Sequence, residues 1–115
     1  MGSEVKAGSR GQAETRERPD GVVIRRLVQG PSMDVTEYTV PRGFTTGPSD
    51  ADVSEKAGYV VRGKIEISTD NDTLVVEAGG AYSLPVGAPH KFTVVEDSVV
   101  VQVRHPANAR PPART

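Results

Sequence analysis

The feature that most constrains this chain is a succession of short apolar runs, each closed by a turn signal and none long enough for a packed helix. VVIRRLV (22–28), MDVTEYTV (33–40), GYVV (58–61), KIEIS (64–68), TLVVEA (73–78), AYSLP (81–85), FTVV (92–95) and SVVVQV (98–103) are rich in β-branched residues. Their restricted χ1 suits a pleated sheet better than a helix. Between the runs stand QGPS, PRG, GPSD, STDNDT, AGG and PVGAP, where Gly, Pro, Asn and Asp supply the backbone angles of tight turns. No segment carries the spacing of a long amphipathic helix. Seven or eight strands over roughly 85 residues predict an all-β sandwich or barrel, and periodicity alone does not choose between them.

A chain of 115 residues with 36% hydrophobic content has room for one small domain. The first stretch, MGSEVKAGSRGQAETRERPD, is polar and Gly-rich, so residues 1–20 are expected to be an unstructured tail. Residues 21–105 are expected to form the folded unit. HPANARPPART suggests that 106–115 trail off as an extended tail. A net charge of −1 with mixed signs argues against nucleic acid as a partner, because phosphate binding needs a concentrated basic face. The absence of cysteine excludes disulfides, thiolate metal sites and a cysteine nucleophile. No apolar run approaches a membrane span or a signal-peptide core, so a soluble cytoplasmic protein with no membrane partner is expected.

One of the two histidines sits inside GGAYSLPVGAPHKF (79–92). Gly79, Pro85, Gly87 and His90 follow the spacing G-x5-P-x-G-x2-H, and upstream EKAGYVVRGKIEI (55–67) ends a second patterned stretch at Gly63 and beyond. Here the chain resembles the cupin superfamily, in particular its small single-domain members, over most of residues 40–104. The resemblance implies a cupin-type double-stranded β-helix, the jelly-roll barrel, with His90 facing inward at a ligand position. The Asn that closes the family's second motif is replaced by Val94. Cupins of this size commonly cover an open sheet by pairing, so the resemblance also implies a homodimer.

Counting back from Gly63, the family's two first-motif histidines are replaced by Asp50 and Asp52, and its Glu or Gln by Lys56. A shift of one residue would put Ser49, Ala51 and Glu55 in those places, which restores no ligand set. An ammonium repels a divalent cation, so no transition metal and no other cofactor is expected, although Asp50, Asp52 and His90 could hold a hard cation weakly. Asp50, Asp52, Lys56 and His90, turned inward together, would form a cluster of two acids, an amine and an imidazole. Such groups shift one another's pKa and suit acid/base work. Taken singly, the Asp pair also suits a solvated turn, and Lys56 a strand residue paired with a neighbouring Glu. Arg42, Tyr38 and Phe92 are the candidate substrate-binding residues, although the aromatics Tyr38, Tyr59, Tyr82 and Phe92 suit a core or dimer contact better than a substrate platform.

The expected function is metal-independent acid/base chemistry on a small oxygenated metabolite, by cyclisation, elimination or isomerisation, in natural-product or sugar metabolism. The alternative is a cupin that binds a small molecule or carbohydrate without catalysis. Convergence of the four side chains in one cavity would favour the enzyme. As side chains at a barrel mouth, His90 and Lys56 are expected to matter little to folding.

Overall fold

The computed structural model describes residues 4–46 and 53–107. Among these residues a 3-10 turn, Arg10–Gln12, is followed by seven strands: β1 (Glu14–Glu17), β2 (Val23–Gln29), β3 (Asp34–Val40), β4 (Glu55–Ser68), β5 (Thr73–Glu77), β6 (Ala81–Leu84) and β7 (Lys91–His105). All pairings are antiparallel, in the order β1-β2-β3-β7-β4-β5, with β6 on β4.

GYVV and KIEIS belong to the single strand β4, and FTVV and SVVVQV to β7. The strands remain paired to each other through register shifts between Val60 and Ile65. Extra residues of this kind bend a strand without ending it. At the bend Gly63 has φ +95°, and a Cβ there would strike Ser98 Oγ and the Asp97 carbonyl. Ser98, 1% exposed, fastens the corner: its hydroxyl donates to the Glu96 carbonyl (2.6 Å) and accepts from the Lys64 amide (3.0 Å).

The bend divides the sheet into two facing leaves. One consists of β1, β2, β3, the C-terminal half of β7, the N-terminal half of β4, and β6. The other holds the N-terminal half of β7, the C-terminal half of β4, and β5, with Thr45 bridged to Thr93. Val22, Val40, Val60 and Val100 of the first leaf meet Ile65, Ile67, Val76 and Val94 of the second in one core. This is the jelly-roll barrel expected from the sequence.

The ends differ from expectation. Glu14–Glu17 pairs with β2, from Glu14 opposite Arg26 to Glu17 opposite Val23. All four residues are exposed, so no apolar alternation marks the strand; main-chain pairing makes it. Arg18-Pro19-Asp20-Gly21 turns the chain into β2, with the Arg18 amide on the Val22 carbonyl and the Gly21 amide on the Arg18 carbonyl. Upstream, Arg10 Nε lies 2.7 Å from the buried Glu37 carboxylate, which Arg25 also contacts. Much of the expected tail is therefore part of the fold. At the other end, Ala107 is 2% exposed and its amide donates to the Ser32 carbonyl, so Pro106 and Ala107 do not trail away.

Candidate active site in the barrel interior

Strand register fixes which side chains enter the barrel. Across β3, β7, β4 and β6 the inward rungs are Asp34–Arg104–Lys56–Leu84, then Thr36–Gln102–Gly58–Tyr82, then Tyr38–Val100–Val60. Gly58 leaves a gap in the second rung, and the Tyr82 ring fills it: any Cβ on Gly58 would collide with the phenol end of that ring. Lying across Gly58, Tyr82 reaches β7 and donates its hydroxyl to Gln102 Oε1 at 2.6 Å. Burial pushes the Tyr82 pKa well up, and nearby Tyr38 adds to the shift. Burial also raises Tyr38, against the opposing charge of Arg104.

Between the leaves lies a cavity of about 170 Å³. Tyr38, Val40, Val100, Gln102 and Tyr82 line it from the first leaf, and Phe44, Thr46, Ile65 and Phe92 from the other side. Arg18 lines it from the turn before β2, its guanidinium 5.8 Å from the Phe44 ring centroid. Phe92 meets Tyr82 edge-on at 5.5 Å, a favourable aromatic geometry.

His90 lies on the far side of this aromatic pair. Its ring is edge-on to Phe92 at 5.3 Å, and it lines a separate cleft with Leu74, Val76, Ser83 and Leu84, where β5 and β6 face each other. Tyr82 is common to both spaces. His90 is 6% exposed, and its Nδ1 lies 2.9 Å from the Ala88 carbonyl oxygen. A carbonyl only accepts, so Nδ1 carries a proton in this contact, and in the uncharged tautomer the lone pair falls on Nε2.

The other expected site residues divide. Tyr38 and Phe92 line the cavity. Lys56 faces inward one rung beyond Gln102, half-buried beside Leu84 and Arg104, and does not line the cavity or the His90 cleft. Arg42 is exposed on a turn, where its backbone amide donates to Asp97, and it stands away from the cavity lining. Asp50 and Asp52 lie outside the described residues. The cupin metal would need several converging donors: His90 offers one nitrogen, Lys56 offers a cation, and no three His, Asp or Glu side chains converge among the described residues. Among the described residues, which leave out Asp50 and Asp52, the donor set does not fit the metal.

Sequence reasoning missed Arg18, Phe44 and Gln102 as cavity residues, and read Tyr82 as a core or dimer-contact aromatic. Gln102 carried a signal, being the one amide in the valine run of β7 and sharing a face with Val100. Arg18 carried another, since R-P-D-G is a turn sequence rather than a tail. Nothing in the sequence pairs Tyr82 with Gly58.

No helix among the described residues is long and apolar enough to cross a membrane. A family model described as a cupin domain matches residues 36–103. Among solved structures, KdgF from Halomonas sp. is similar at TM-score 0.80 and 19% identity, covering 90% of this chain and 96% of its own. An RmlC-like cupin from Shewanella frigidimarina is similar at TM-score 0.81 and 18% identity, covering 94% and 96%. A predicted oxalate decarboxylase from Thermotoga maritima is similar at TM-score 0.73 and 12% identity, covering 87% and 98%. No curated protein matches the chain significantly.

Proposed function

This chain belongs to the cupin-domain family, and from that premise we propose that it binds a small, ring-sized molecule inside its barrel. The observation that carries this reading is the cavity between the leaves. Its volume of about 170 Å³ is close to the roughly 150 Å³ that admits a benzene-sized guest in a protein interior. Its walls are aromatic and aliphatic, with a few polar groups placed to orient a guest. Gln102 spends its carbonyl oxygen on Tyr82, which leaves the amide hydrogens to face a ligand oxygen. Amide NMR shifts during titration with phenol and cyclohexanol test the reading. Residues around Ile65, Phe92 and Val100 should move, and a filling substitution, Val100→Phe or Val100→Met, should abolish the response. Equal shifts in a folded, filled variant would place the site elsewhere.

One observation favours a second reading, metal-independent acid/base catalysis of elimination, isomerisation or cyclisation. The Ala88 carbonyl holds His90 in the tautomer whose Nε2 can accept a proton. Deuterium wash-in beside the carbonyl of small oxo acids, present in the wild type and lost in His90→Gln, would support it. The homodimer belongs to the same proposal. Strands β1 and β5 end the sheet, and β5 exposes Leu74 and Val75 on an open edge. Sedimentation should give twice the chain mass, and a monomer at high concentration would refute the dimer.

A further inference from the structure

We propose that Arg18 makes the barrel selective for a monoanion: a ring-sized molecule with one carboxylate, its ring in the cavity and its carboxylate on the guanidinium at the opening. The inference rests on the small-molecule reading above and adds the ligand's charge and orientation.

Among the described residues that line the cavity, Arg18 alone carries a charge. It is also the one exposed residue of the lining, the others being buried or half-buried, with 40% of its side chain in solvent, so it stands at the exposed rim of the cavity. The local turn does not require its side chain. Backbone bonds join Arg18 to Val22 and Gly21, and Asp20 Oδ1 accepts from the Val22 amide. The guanidinium spends NH2 on Asp20 Oδ2, and its plane of five donors leaves others for a second acceptor. Phe44 beneath the guanidinium holds it over the aromatic wall. An arginine so placed suits a planar carboxylate conjugated to a ring, since both can lie flat against the same wall. A cationic ligand would meet the guanidinium with the neighbouring Asp20 carboxylate already paired to it, and a neutral one would leave the charge-assisted bond unmade.

Calorimetric titration of the full chain with benzoate, benzyl alcohol and benzylamine tests this, with amide NMR shifts to locate each probe. Benzoate should bind at least about tenfold more tightly than benzyl alcohol, the usual return of one charge-assisted hydrogen bond, and benzylamine should bind weakest. Arg18→Gln should bring benzoate to the level of benzyl alcohol, and Arg18→Lys should restore part of the difference. Dispersed NMR spectra of both variants confirm that they fold. Equal binding of benzoate and benzyl alcohol at the cavity overturns the role of Arg18 and leaves the cavity reading standing. A benzoate preference that survives in folded Arg18→Gln does the same. Failure of all three probes to shift the cavity amides overturns both.

Discussion

At the scale of single residues, burial revises what His90 and Tyr82 contribute. A side chain reaching into an open mouth would matter little to folding, but His90 is 6% exposed, packed edge-on against Phe92 and bonded to the Ala88 carbonyl. His90→Ala removes that packing and leaves a carbonyl without its donor, so it should cost about 2 kcal/mol by chemical denaturation. Tyr82 titrates above its ordinary value of 10.0 because burial disfavours the phenolate. Below about pH 10 the ring is neutral in both folded and unfolded chains, so its contribution is fully present. As the pH rises further the unfolded chain ionises first and stability falls. Urea titrations between about pH 8 and pH 11 should show this alkaline loss, with a shallower slope in Tyr82→Phe.

At the scale of elements, the bend in β4 and β7 sets the two leaves face to face, and Gly63 is where steric demand concentrates. Gly79 offers a control, because its φ is +90° and a Cβ there would meet nothing within 4 Å. Gly79→Ala should therefore cost only the backbone term, about 1–2 kcal/mol. Gly63→Ala adds the collision with Ser98 and Asp97, and should cost about 2 kcal/mol more or prevent folding. Equal denaturation midpoints for the two variants would show that the corner is not sterically tight. The apolar runs on both sides of Gly63 were legible as strands. Their continuity was not, since a glycine that bends a paired strand reads the same as one that ends it.

At the scale of the whole molecule, the N-terminal segment is a working part of the barrel. Strand β1 covers the edge of β2, Arg10 neutralises the buried Glu37, and Arg18 reaches the cavity. A chain starting at Arg18 would expose the β2 edge and leave Glu37 with Arg25 alone. It should melt roughly 5–10 °C lower, a loss of about 1–2 kcal/mol in a domain this small, while keeping its strand content by circular dichroism. Unchanged melting would show that the segment lies on the barrel without supporting it.

The sequence by itself located the strand-forming stretches of β2 to β7 and one landmark. β-branched runs and turn residues act on their immediate neighbours, so strand content could be read locally, and G-x5-P-x-G-x2-H located His90 through its resemblance to a family. The tertiary structure decided the company each side chain keeps. His90 and Phe92 are two residues apart, yet the cavity contains Phe92 while His90 faces the next cleft. Arg18 and Phe44 meet across 26 positions, and Tyr82 and Gln102 across 20. Such meetings depend on strand register, on a missing Cβ at Gly58 and on the bend at Gly63, which are relations between distant segments. Local periodicity carries which face a residue takes, and only the folded barrel brings the faces together.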